Sequence, residues 1–220
     1  MSPTSADSAS SPGSPASPAS ADEPNQSDRW ADLDLSRDWR DDGPFDITEV
    51  ELDDDPVERI DLGPLIVTSQ PDMRIQLAVN PRTQTADAMT VSKAGAGLVI
   101  KVLAAPSQPG YVAERRQQIV DETTKLGGQV LKLSQGPFGT QIDRRLPQAE
   151  GPAVRLRDWQ VQGSRWLLEG TLLGPAATDD AAAAGLRAEF EEFFRNLIVR
   201  RGDTALVPGS VLGLKPSAAS

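Results

Sequence analysis

Met73, Ile75, Leu77 and Val79 alternate with Arg74, Gln76, Ala78 and Asn80. A period of two puts the apolar set on one face, so this segment reads as a half-buried strand. Asn80-Pro81-Arg82-Thr83 carries turn chemistry, and Ala88 to Lys93 reads as the next strand. Ala94-Gly95-Ala96-Gly97 suits a hairpin loop, because glycine takes positive φ without steric cost. Leu98 to Ala104 is a nearly unbroken apolar run and predicts a central strand. Upstream, Arg59 to Val67 has strand composition interrupted at Gly63-Pro64, which implies a bulge, a turn or an edge.

The period then changes. Val112, Ile119, Thr123 and Leu126 share a stripe, so Tyr111 to Leu126 predicts a helix closed by Gly127-Gly128. Val130 to Leu133 predicts a short strand, and Gly136-Pro137 a hairpin or strand switch. After it, Phe138, Ile142 and Leu146 are assigned to one face and Gln141, Asp143 and Arg145 to the other. Gly136 to Thr140 holds two glycines, but no Gly-Lys-Ser/Thr follows and no helix begins there. It therefore reads as scaffold and not as a phosphate loop. Val154 to Val161 and Arg165 to Leu173 predict two further strands joined at Gly163-Ser164, with Trp166, Leu168 and Leu172 on one face. Leu186, Phe190, Phe193, Phe194, Leu197 and Ile198 fall at helical spacing, the clearest amphipathic signal in the chain, with Gly202 closing that helix.

Hairpin-joined strands with two interspersed helices predict an α+β domain. Its largely antiparallel β-sheet has about seven or eight strands, with two main α-helices packed on it. Composition adds an asymmetry. Residues 1–20 are almost entirely Ser, Pro, Ala and Gly and cannot bury enough apolar surface to offset chain entropy. Residues 1–58 hold 16 acids and 3 bases, which leaves 19 bases and 16 acids in the rest. The net charge of −10 thus describes an acidic arm on a mildly basic body. The expected organisation is a disordered Ser/Pro-rich then acidic arm over 1–58, a single α+β domain over 59–208 and a flexible tail over 209–220. Such an arm either solvates the body or serves as an interaction tail.

Cysteine and histidine are both absent. That removes disulfides, thiolate chemistry, the commonest general base and the commonest zinc ligands. No cofactor is indicated. A carboxylate site for Mg²⁺ is left, but the densest cluster, Asp53-Asp54-Asp55, lies in the arm and reads as a solvated charge run. Asp143, Asp158 and Glu169 sit on predicted strands, where two of them could converge as an acid/base pair. Arg144, Arg145, Arg155, Arg157 and Arg165 occupy three successive strands, with Trp159 in the register of Arg155 and Arg157. A basic sheet face with an aromatic platform is a polyanion or partner contact of the kind that binds single-stranded nucleic acid. No signal-peptide pattern and no apolar run of roughly 20 residues is present, so a cytoplasmic protein without membrane contact is expected.

Five stretches carry a resemblance: GPFDITEVE (43–51), RIDLGPL (59–65), QGPFGT (135–140), SRWLLEGTLLGPAA (164–177) and VRRGDTALVPG (199–209). Together they resemble the actinobacterial family known as domain of unknown function 3710. The resemblance implies a cytoplasmic domain and brings no catalytic or binding residues with it. The element order is also similar to the sandwich of PsbP and Mog1-type proteins, which act mainly as partners; that is an analogy of fold. The first expectation is a non-enzymatic adaptor that binds an unidentified protein partner, with the acidic arm tuning the contact. A nucleic-acid-associated protein using the Arg/Trp strands comes second, and a carboxylate/Mg²⁺ enzyme third.

Overall fold

The computed structural model describes residues 26–52 and 56–215. In chain order these form α1 (Gln26–Leu35), β1 (Phe45–Asp46), β2 (Arg59–Asp61), β3 (Leu65–Thr68), β4 (Arg74–Asn80), β5 (Thr85–Lys93) and β6 (Ala96–Ala104). Then follow α2 (Tyr111–Lys125), β7 (Gln129–Gly136), β8 (Gly139–Leu146), β9 (Val154–Gly163), β10 (Trp166–Leu173), α3 (Ala184–Arg195) and β11 (Ile198–Val199). The fold is α+β. A seven-stranded, wholly antiparallel sheet runs β4-β5-β6-β10-β9-β8-β7. A four-stranded sheet, β1-β11-β3-β2, closes one side, and its β1–β11 pair is parallel.

The central strands β6, β10 and β9 of the large sheet are covered on both faces, so their alternation separates two environments. On one face Leu98, Ile100, Val102, Trp159, Val161, Trp166 and Leu168 join Phe190, Phe193 and Phe194 of α3 in the main core. Leu65, Val67 and Val199 of the small sheet complete that core. On the other face, Leu103 and Leu167 meet Tyr111 and Val112 of α2 in a minor apolar cluster. The β5–β6 turn places Ala94 and Gly95 at φ 49° and 76°, the mirror-image turn whose twist matches the flanking strands.

Several boundaries differ from the sequence expectation. Residues 26–52, assigned to the arm by their acids, are part of the domain. α1 lies against α2 and β8, and β1 pairs with β11. Individual acids here have cationic or backbone partners that composition does not reveal, as described below. Residues 1–25 and the cluster 53–55 lie outside the described residues. Residues 209–215, expected as tail, are packed: Leu212 and Leu214 are buried, their N–H groups donating to Val102 and Ala86 at 2.8 Å each. Residues 216–220 lie outside the described residues. The last helix stops at Arg195, short of Gly202, because Ile198-Val199 leaves it to pair as strand β11. Arg59 to Val67 is a hairpin of the small sheet, split at Gly63. Phe138 occupies the β7–β8 turn and enters the α3 core, on the opposite side of the sheet from Ile142.

Candidate binding cleft

The structure does not assemble the predicted Arg/Trp surface. Arg155, Arg157 and Trp159 do share a face of β9, but α3 covers it. Trp159 is 1% exposed, lies edge-on to Phe138 at 5.4 Å and donates its Nε1–H to Gln141 at 3.3 Å. Arg157 is buried, its Nε donating to Asp143 at 2.7 Å and its Nη2 to Asp179. Arg155 also reaches Asp179, at 3.0 Å. Arg144 lies on the opposite face, where it grips Asp158 with two hydrogen bonds. Arg145 donates to Gln129 at 2.7 Å. Arg165 sits in the β9–β10 turn at φ 64° and donates to the Gly202 carbonyl at 3.3 Å. The spacing of these residues was legible, but which face would be covered depended on packing.

Of the predicted acids, Asp158 and Glu169 line one small pocket under α2, as two arginine-bound carboxylates and not as a free acid/base couple. Asp143 faces α3, whereas Asp158 and Glu169 face α2, each tied to its own arginine, Arg144 and Arg115. Thr171 donates to Asp158 at 2.7 Å. Among the described residues, no group of three acids could hold a metal ion.

What the fold does assemble is a cleft of about 440 Å³. Its floor is the end of β9, from Gln160 to Ser164. One wall is the loop leading into α2 and that helix's first turn, including Val112. The other wall is the last turn of α1 and the segment after it, from Asp34 to Arg40. This wall is held by a small set of contacts. Asp34 accepts from the Thr140 backbone N–H at 2.7 Å and from Arg116 of α2. Both side chains of that ion pair are almost wholly buried. Trp39 donates to the Leu33 carbonyl at 3.1 Å. Arg40 forms a two-bond fork with Glu49, both at 3.1 Å, and lies over the Trp166 ring.

The glycines of the quoted signatures make this docking geometrically feasible. Gly139 has φ 95°, and a Cβ there would stand 2.9 Å from Asp34 Oδ1 and 3.5 Å from Trp39. Only a glycine lets α1 approach this turn and Asp34 reach Thr140. Gly43 has φ 91°, and a Cβ there would collide with the Arg195 carbonyl. Next to it Asp46 caps the short 3₁₀ turn Ile47–Glu49 and accepts the buried Trp166 Nε1–H at 2.7 Å.

Gln160 and Gln162 share the α2 face of β9 and differ sharply. Gln162 uses its whole amide: Oε1 accepts from Tyr111 N–H at 2.9 Å, and Nε2 donates to the Pro106 and Gln108 carbonyls at 3.2 and 2.7 Å. It thereby locks the loop before α2. Gln160 is 1% exposed, lines the cleft, and has no hydrogen-bond partner for Nε2 or Oε1. A buried amide in that state costs about 1–3 kcal/mol unless something pairs with it. Arg37, on the opposite wall, stacks over Trp39 at 4.1 Å. No carboxylate among the described residues engages it.

Electrostatics keep the neighbouring charges in place. Burial opposes the charge on Arg115 and Arg144, but Glu169 and Asp158 more than offset it and hold both guanidinium groups above their ordinary value. Burial pushes Asp46 up, yet the Thr48 N–H, the Trp166 indole, the Thr48 hydroxyl and Arg40 outweigh it, so the carboxyl sits below the usual range. Glu191 on α3 goes the other way, raised by burial despite Arg187, Arg195 and Arg157 nearby.

The sequence reading missed Asp34, Arg37, Trp39 and Gln160. The first three lie in a stretch whose acid content argued for a solvated arm. Gln160 sits in an alternation, Asp158 to Gln162, that reads as a strand with one wet face.

A family model described as "Protein of unknown function (DUF3710)" matches residues 43–220. No curated protein matches the sequence. Among solved structures, the solution structure of cyanobacterial PsbP (CyanoP) from Synechocystis sp. PCC 6803 is similar at 8% identity and a TM-score of 0.37. That likeness covers 65% of this chain and 92% of the PsbP chain.

Proposed function

The chain belongs to the DUF3710 family of proteins of unknown function, and on that premise we propose that it is a non-enzymatic recognition domain. It takes a segment of a partner protein into the cleft between the Asp34–Arg40 wall and the first turn of α2. The observation that carries this reading is Gln160, a buried amide that lines the cleft with both polar atoms unpaired. Catalysis is the weaker reading. Among the described residues, the acids beside the cleft and beneath α2 (Asp34, Asp38, Asp158 and Glu169) each have an arginine partner, which disfavours them as proton-transfer groups. A role in the cytoplasm, as an adaptor, accords with this reading.

The test is capture by the full chain from a lysate, with and without nuclease, beside Ser164→Trp. Ser164 is an exposed residue on the cleft rim, so this change fills the mouth without touching the core. Proteins that survive nuclease and are lost with Ser164→Trp support the reading. Proteins that vanish with nuclease make nucleic acid the ligand, and proteins indifferent to Ser164→Trp move the contact elsewhere. Either result overturns it.

A further inference from the structure

We infer that the cleft recognises the free carboxyl-terminal end of a polypeptide, its last peptide group paired with Gln160 and its carboxylate held between Arg37 and the first turn of α2. The inference rests on the recognition role proposed above and specifies its ligand.

Three independent features of the cleft carry it. Gln160 lines the cleft with an amide whose N–H₂ and oxygen are both unpaired and covered in this structure, so they meet a ligand once the side chain turns toward the floor. The complementary group shows an acceptor and a donor side by side, as the backbone of an extended peptide residue does. A carboxylate, which only accepts, satisfies half of this pair. The second feature is charge. Asp34 and Asp38 line the same space but are held by Arg116 and Arg40, whereas Arg37 has no carboxylate partner among the described residues. The third is the start of α2. Gly110 at its N-cap contributes no capping side chain; Gln162 takes the Tyr111 N–H and the Gly110 carbonyl takes the Ala113 N–H, which leaves the N–H of Val112, at the cleft wall, without a hydrogen-bond partner among the described residues. A helix start of this kind carries partial positive charge, and on a 15-residue helix the dipole is developed. An amide on the floor beside a negative charge at the wall describes the last residue of a chain, and capture of terminal carboxylates by exposed backbone N–H groups is a recurring mode of peptide recognition. The volume, about 440 Å³, is in the range of a ligand pocket and too small for a folded partner surface.

The same chemistry is displayed by a protein's end and by a small acylated amino acid, and the two can be separated. Full-length ¹⁵N-labelled protein would be titrated with acetyl-Ala-Ala, with its C-terminal carboxamide and with acetyl-Ala alone, following the Gln160 side-chain amide and the Gly110 and Val112 backbone signals by NMR. The expected result is that acetyl-Ala-Ala shifts all three sets, that the carboxamide binds about tenfold more weakly, and that acetyl-Ala binds more weakly than acetyl-Ala-Ala. Gln160→Leu should abolish the Gly110 and Val112 shifts while leaving the denaturation midpoint unchanged or higher, because the native amide has no partners to lose. Arg37→Gln should weaken the acid and leave the carboxamide unaffected. Equal binding of acid and carboxamide overturns the inference, as does the absence of a Gln160 shift with either. Binding of acetyl-Ala as tight as that of acetyl-Ala-Ala assigns the cleft to a small metabolite instead. If lysate partners are lost with Ser164→Trp but persist with Gln160→Leu, the recognition role stands and this inference fails.

Discussion

Under α3, strand β9 presents Trp159 and Val161 to a core of phenylalanines; under α2, the same strand presents Asp158, Gln160 and Gln162. One face closes around aromatic rings, with Phe138, Trp159 and Phe194 meeting pairwise at 4.8–5.6 Å, and admits the buried Arg157–Asp143 ion pair beside them. The other face is a set of arginine–carboxylate pairs with a cleft at its end. The comparison separates stability from recognition. The α3 face derives its strength from burial, which is insensitive to orientation. The α2 face depends on directional contacts, which hold a shape open but add little net stability, since desolvation offsets much of the attraction between buried charges.

The largest expected effect therefore lies on the α3 face. Phe194→Ala should cost about 3–5 kcal/mol in urea unfolding, as transfer energy and a residual cavity add together. A loss below about 1 kcal/mol would break the comparison, since surface substitutions lose no more. Next comes Asp34→Ala, which strands Arg116 and the Thr140 N–H. One-sided removal of a buried pair costs about 3–5 kcal/mol where the structure cannot relax. Here α1 can lift away, so the loss is smaller than for Phe194→Ala and shows as faster hydrogen exchange over residues 26–42 with the sheet protected. Unfolding of the whole sheet in this variant would mean that the two faces are not separable.

Acid sharpens the same division. The Asp46 carboxyl lies below its ordinary value in the folded state. It contributes stability that is present above that ordinary value and lost as pH falls through the folded one. Unfolding midpoints should drop on acidification, and Asp46→Asn should flatten part of that drop. The smallest effect concerns Glu191, whose carboxyl is raised by burial. Its protonated form suits the fold, so stability is greatest below the ordinary value and declines as pH rises through the raised one. Glu191→Gln should add about half a kcal/mol at neutral pH, the scale of a typical single stabilising change, and nothing at pH 4. A destabilised Glu191→Gln would show that the carboxylate has a role beyond its charge.

Local pattern was enough to place most elements. Alternation in 73–80 and the Gly163-Ser164 turn lie where the chain forms β4 and the β9–β10 hairpin, because a strand's period and a turn's φ are properties of a few consecutive residues. The Leu186–Phe194 stripe likewise forms α3, but the strand at Ile198-Val199 was unreadable, since its pairing partners, Phe45-Asp46 and Leu65-Ile66, are far away in the chain.

Local pattern in the chain carries the α+β class, the strands β4 to β10 with the helices α2 and α3, the lack of histidine and cysteine chemistry, and the family. Tertiary structure alone decided what became of the charges. Asp34 reads as one more acid in an acidic stretch, and its arginine is 82 positions away. Gln160 reads as the wet side of a strand until α2 and the segment after α1 close over it. Periodicity records which side chains share a face. Whether that face meets water, an aromatic core or a cleft is set by elements distant in the chain, because burial and ion pairing depend on separations in space.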